Sequence, residues 1–178
     1  MTKTTNKIVL TGLFIAIGII LPQLFHPINL GNVISPMHFA VLLCGLMLGF
    51  KYGLACGIIT PLLTGILFQR PDLFPTGISM AIELGVYGLV SGLLYEKLKF
   101  KNYLANLYSS LIIAMIVGRF GASLINAILY VSNASKTDFI TYINILFVVG
   151  LPGIVLQLLI IPPIVSRLNI VNNEKELN

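Results

Sequence analysis

"GLMLGFKYGLACG", residues 45–57, places a glycine at every fourth position: Gly45, Gly49, Gly53 and Gly57. A period of four marks one face of a helix. Lys51 interrupts the ladder, inside an otherwise apolar stretch from Phe39 to Phe68. A single long helix would bury that lysine at mid-membrane depth, at a cost of at least ~2.5–3.5 kcal/mol. A turn at "FKYG" puts it at the aqueous boundary for almost nothing, and Gly53 tolerates the positive φ that such a turn uses. The expectation is a tight hairpin of two short helices, 38–50 and 53–68. Gly45 and Gly49 then lie on one leg and Gly57 on the other. Small residues of this kind let backbones approach where lipid supplies no hydrophobic drive between helices.

The rest of the chain supports a membrane setting. It has 178 residues, 57% of them hydrophobic and only 10% charged, with a mean hydropathy of +0.96. Soluble domains carry roughly 25% charged residues. Hydrophobic segments are read at about 8–25, 38–50, 53–68, 76–96, 104–131 and 143–166. This pattern predicts an all-α integral membrane protein: a bundle of six transmembrane helices forming one domain over residues 1–178. The second and third segments are short, since a full crossing takes roughly 20 residues. Lys3 and Lys7 precede the 18-residue apolar run Ile8–Phe25, which is long enough to span rather than to be clipped as a signal peptide. The tail "NNEKELN" is expected to be a frayed polar end.

The net charge of +5 reports orientation here, not nucleic-acid binding. With the N-terminus inside, the cytoplasmic side collects Lys3, Lys7, Lys51, Lys97, Lys99, Lys101, Arg167 and Lys175, and the outer side only Arg70 and Lys136. Both termini are therefore expected to be cytoplasmic. Cys44 and Cys56 lie in apolar sequence and are expected to be small buried hydrophobes; a metal site would need more ligands at closer spacing.

Two ionisable residues fall inside spans, Glu83 and Arg119, and intramembrane charges are functional candidates because they are expensive. Their long side chains can bridge the difference in depth between them. One reading is a structural ion pair. The other is that Arg119 faces a water-filled cavity and holds an anionic group, a task for which its planar fork is suited. The neighbours favour a site. Arg119, Ser123 and Asn126 share one helix face, and Thr76, Ser79, Glu83 and Tyr87 form a similar stripe. Asn144 and Gln157 lie on the last segment. Thr60 and Thr64, on the third, are expected to cap their own backbone carbonyls. A cavity among the later helices, opening outward, would gather these groups as a pocket for a small polar molecule.

The outer loops "FHPINLGNVISPMHF" (25–39) and "FQRPDLFP" (68–75) hold His26, His38, Gln69 and Arg70 and are placed to form a lid over that cavity. Motifs for ATP binding or hydrolytic chemistry are absent: there is no GxxxxGK[ST], no HExxH and no GxSxG. The chain is not expected to be an enzyme. Uphill transport would draw its energy from a partner or an ion gradient.

Several stretches together resemble the substrate-binding S components of energy-coupling factor (ECF) vitamin transporters: "TGLFIAIGIILP", "SPMHFAVLLCG", "GFKYGLACGIITPLLTG" and "FPTGISMAIELGVYGLVSGLLY". The likeness covers nearly the whole chain and is greatest to the pantothenate type, through "PMH" and "TPLLTG … PTGISMAIEL". The resemblance implies a multi-pass protein of the bacterial cell membrane that binds a vitamin in an outward-facing pocket. It implies docking on a transmembrane coupling protein that carries two cytoplasmic ATPases. ATP is then used by those partners and this chain binds no cofactor. It also implies a docking surface of small residues on the first helix, where Gly12 and Ala16 stand in place of an AxxxA pattern. For pantothenate, Arg119 would face the carboxylate, with Asn126, Ser79, His38 and Gln157 offering hydrogen bonds.

A ligand with a basic nitrogen reverses the roles of Glu83 and Arg119, so pyridoxine-like and hydroxymethylpyrimidine-like cargoes remain alternatives. So do three other classes: a stand-alone ion-coupled carrier, with helices broken at Pro61 or Pro152–Gly153; a membrane-embedded enzyme; and an assembly protein in which Glu83 and Arg119 only lock helices together.

Overall fold

The computed structural model describes residues 3–25, 35–98, 100, 102–131 and 150–176. Its helices, in chain order, are α1 (Lys3–Phe25), α2 (Pro36–Leu48), α3 (Phe50–Phe68), α4 (Ile78–Lys97), α5 (Tyr103–Val131) and α6 (Leu151–Glu176). No strand forms among the described residues. Five of the helices are long and apolar enough to cross a membrane. α2 is not: its 13 residues rise only ~20 Å against a hydrocarbon core of ~30 Å. It is instead enclosed by α1, α3 and α4, and ten of its 13 residues are buried.

The hairpin forms, but its turn is one step earlier than the lysine suggests. α2 ends at Leu48 and α3 begins at Phe50, with Gly49 alone between them at φ +101°. Reversing a chain through one residue demands a backbone conformation that only glycine adopts cheaply, and Gly49 supplies it. Gly53, expected in the turn, is inside α3. Lys51 lies in the first turn of α3, exposed at the end of the hairpin, which answers its need for water equally well. The end of α2 is closed from another helix: the Lys7 Nζ of α1 donates to the Leu48 carbonyl at 3.1 Å and sits 5.6 Å from the Tyr52 ring centre.

The other three glycines of the ladder make a helix crossing. A Cβ on Gly53 would strike the Gly88 carbonyl of α4, and one on Gly57 the Leu84 carbonyl. On α2, Gly45 meets the same Gly88 carbonyl. Gly45, Gly53 and Gly88 thus form a node where α2, α3 and α4 touch through backbone. α4 is the centre of the bundle, wedged into the open side of the hairpin and packed on its far side against α5.

Neither proline region proposed as a break interrupts its helix. Pro61 is absorbed within α3, and Pro152 is the second residue of α6, where no intrahelical N–H is required. α6 also continues through the polar end as far as Glu176, where a frayed tail was expected. The loop holding His26, and the first part of the expected sixth segment with Asn144, lie outside the described residues.

Candidate functional site

The site is built on the face of α4 opposite the glycine node. Ser79, Glu83 and Tyr87 follow one another by single turns of helix and are all buried. The Tyr87 hydroxyl donates to Glu83 Oε1 at 3.0 Å and accepts from Arg119 Nε of α5 at 3.1 Å. The link between the two charged groups that is visible here therefore runs through a tyrosine, an intermediary that helix depth alone did not reveal. Arg119 Nη2 also reaches the Gly150 carbonyl, just ahead of α6, at 3.5 Å. From α2, His38 brings Nε2 to 3.8 Å from Glu83 Oε1, and its ring lies 5.2 Å from that of Tyr87.

Three helices, and the residue just ahead of a fourth, thus meet in one polar chain, His38–Glu83–Tyr87–Arg119–Gly150, inside an apolar bundle. Glu83 and Arg119 are 4% and 6% exposed, so lipid and water are both kept from them. Buried charges persist only where opposite charge and hydrogen bonds compensate them, and here both are supplied across helices. Gly118 sets the geometry. Having no side chain, it lets the Tyr87 ring lie directly on the α5 backbone, where a Cβ would overlap ring carbons Cδ1 and Cε1. Nothing in the sequence reading marked Gly118, although its position next to the intramembrane arginine is a usable signal.

The remaining candidates divide. Gln157 is buried on α6. Ser123 turns back to its own helix, donating to the Arg119 carbonyl at 2.8 Å. Asn126 is on α5, but its side chain lies outside the described residues, as does all of Asn144. Thr60 and Thr64 donate to the Cys56 and Thr60 carbonyls, both at 2.7 Å, as read from the sequence. The polar side chains meet one another instead of lining either of two apolar grooves. One, of about 330 Å³, runs between α3 and α4; the other, of about 290 Å³, lies among α1, α2 and α6. Gly12 and Ala16 are exposed on α1, and a Cβ at Gly12 would meet nothing within 4 Å, so among the described residues both face outward from the bundle.

Fold and site together define an integral membrane protein with a compact intramembrane polar centre, the kind of centre that membrane proteins keep for binding or moving polar solutes. Residues 6–165 match the family described as ECF transporter, substrate-specific component, and the chain belongs to that family. It is thus the substrate-binding part of an ECF importer. No curated protein and no solved structure matches the chain.

Proposed function

We propose that the chain is the high-affinity membrane subunit that captures a small water-soluble vitamin or precursor, with pantothenate the first candidate, for an importer of the bacterial cell membrane. The observation that carries this reading is the buried chain His38–Glu83–Tyr87–Arg119, assembled from three helices where an apolar side chain at each position would be cheaper to bury. Arg119 takes the ligand carboxylate. Glu83 and Tyr87 hold the guanidinium in place and, with His38, Ser79, Ser123, Asn126, Asn144 and Gln157, present hydrogen-bonding groups to hydroxyls and an amide. The whole chain acts as one binding domain with both termini cytoplasmic. It delivers its cargo with a transmembrane coupling protein and two ATPases.

Calorimetric titration of the purified protein in detergent tests this, with pantothenate first and pyridoxine, hydroxymethylpyrimidine, riboflavin and thiamine as comparators. Saturable binding of one of them names the cargo, and a folded protein that binds none overturns the reading. A second reading has its own observation: Glu83 Oε1 is approached by both Tyr87 and His38, an arrangement equally suited to a basic ligand nitrogen. Preference for pyridoxine or hydroxymethylpyrimidine over pantothenate selects it. For the partner surface, Gly12 and Ala16 supply a small exposed face on α1. Wild-type co-purification of a Gly12→Leu, Ala16→Leu chain with the coupling protein would remove them from it.

A further inference from the structure

The buried polar atoms of the site are nearly all accounted for, and the exception is informative. Among the described residues, two buried side-chain atoms have no hydrogen-bond partner: Asn106 Oδ1 and His38 Nδ1. Asn106 is at the basic end of the bundle, where its Nδ2 ties the start of α5 to the Tyr95 carbonyl at 3.1 Å. His38 is within the polar chain, with its side chain 10% exposed. A buried ring nitrogen left without a partner carries the full desolvation cost of that atom, and inside the polar chain a ligand donor would relieve it.

The two ring nitrogens of His38 are not equivalent. Nε2 lies toward the Glu83 carboxylate, 3.8 Å from Oε1, and the neutral tautomer with its proton on that side is the one that suits this neighbour. Nδ1 is then left as a bare lone pair, an acceptor. The backbone N–H of the same residue is already used, donating to the Ser35 carbonyl at 3.1 Å. The imidazole is held on both sides, by the carboxylate at one edge and by the Tyr87 ring at 5.2 Å. Its free edge therefore points in one direction with little freedom.

We infer that His38 Nδ1 is a specificity-determining atom of the ligand site, and that it accepts a hydrogen bond from a hydroxyl or amide N–H of the cargo. The inference rests on the ligand-binding reading above. It adds the polarity of the recognised group: a donor at the α2 side of the site, separate from whatever Arg119 holds. Sites that read a ligand donor through a buried acceptor discriminate strongly against analogues lacking it, because the acceptor is then left unpaired. Tyr87 and Glu83 act here as positioning residues that fix the ring.

Two amides separate the nitrogens. In His38→Asn the side-chain carbonyl falls near the place of Nδ1, whereas in His38→Gln the amide extends to the place of Nε2 and leaves the Nδ1 position empty. Wild type and both variants are titrated calorimetrically with pantothenate and the four comparator vitamins, after each is shown to elute as a single species in detergent. The expected result is affinity within about threefold of wild type for His38→Asn and a loss of about tenfold or more for His38→Gln. Equal affinity in both variants and wild type overturns the role of Nδ1 while leaving the vitamin-binding reading intact. A loss in His38→Asn with retention in His38→Gln also overturns it, assigning recognition to Nε2. A wild-type protein that binds none of the five vitamins overturns both inferences together.

Discussion

The two faces of α4 hold their neighbours by opposite means. Toward α2 and α3 the contact is backbone on backbone: Gly88 sits against Gly53 and Gly45, and Gly92 against Phe50 and the Gly45 carbonyl. Toward α5 the contact is made by long polar side chains, with Tyr87 between Glu83 and Arg119. At the glycine node of the first face the closest atoms are backbone, which cannot move aside. The second is held by hydrogen bonds that can be exchanged for a ligand's. One helix thus combines a fixed seam with an adaptable one, and the fixed seam gives the adaptable one a stable base.

The contrast breaks most severely at the node. Gly88→Val puts a branched side chain into the Gly53 backbone, and overpacking by a few methyl groups already costs at least ~1–3 kcal/mol where neighbours can yield. The expected outcome is loss of the monodisperse species in detergent size-exclusion chromatography. A well-behaved, thermally wild-type Gly88→Val protein would show the seam to be loose.

On the other face the expected effect is on binding. Arg119→Gln keeps a neutral donor but loses the charge, and vitamin affinity should fall about a hundredfold, the cost of losing a charge-assisted hydrogen bond in a buried site. Calorimetry on protein that still elutes as one species provides the measurement, and unchanged affinity would remove Arg119 from the site. A smaller loss, about tenfold, is expected for Gly118→Ala, which forces the Tyr87 ring away from α5. Gly121→Ala is the matched control three residues on, since a Cβ there meets nothing within 4 Å. Equal affinities for the two alanine variants would mean that the ring position does not matter to binding. The smallest change should come from Thr64→Val on α3, which removes only a bond to the helix's own Thr60 carbonyl. Thermal unfolding should register ~1 kcal/mol or less, with ligand affinity unaffected.

What could be read from the sequence follows the range of the interactions. The all-helical class, the existence of the hairpin and the self-capping threonines depend on near neighbours in the chain, and these readings match the described residues. The candidate site was legible in part. Glu83 and Arg119 stood out because burial cost belongs to residue type, and Tyr87 by sharing a helix stripe with Glu83, whereas His38, expected in an outer lid loop, is instead buried within α2. The order of these residues in space was not legible, since nothing in one helix states which residue of another it will face. The hairpin turn shows the same limit at short range. Lys51 and Gly53 offered a turn by charge and flexibility, yet Gly49 takes it, because the glycines on either side are committed to a third helix that the local sequence does not show. Ser123 shared a face with Arg119 by periodicity, but a serine one turn along has its own backbone carbonyl nearer than any partner.

The bond from Lys7 to the end of α2 has a practical side. Lys7 is in the second turn of α1, close to the N-terminus, in a region often trimmed or fused when a membrane protein is prepared for expression. Here it closes a carbonyl that the glycine turn leaves open, and it does so from a helix whose most apolar stretch is only 11% buried against the rest of the chain. Deleting the first seven residues would therefore loosen the seating of α1 as well as shorten it. Affinity tags and fluorescent reporters belong at the C-terminal end.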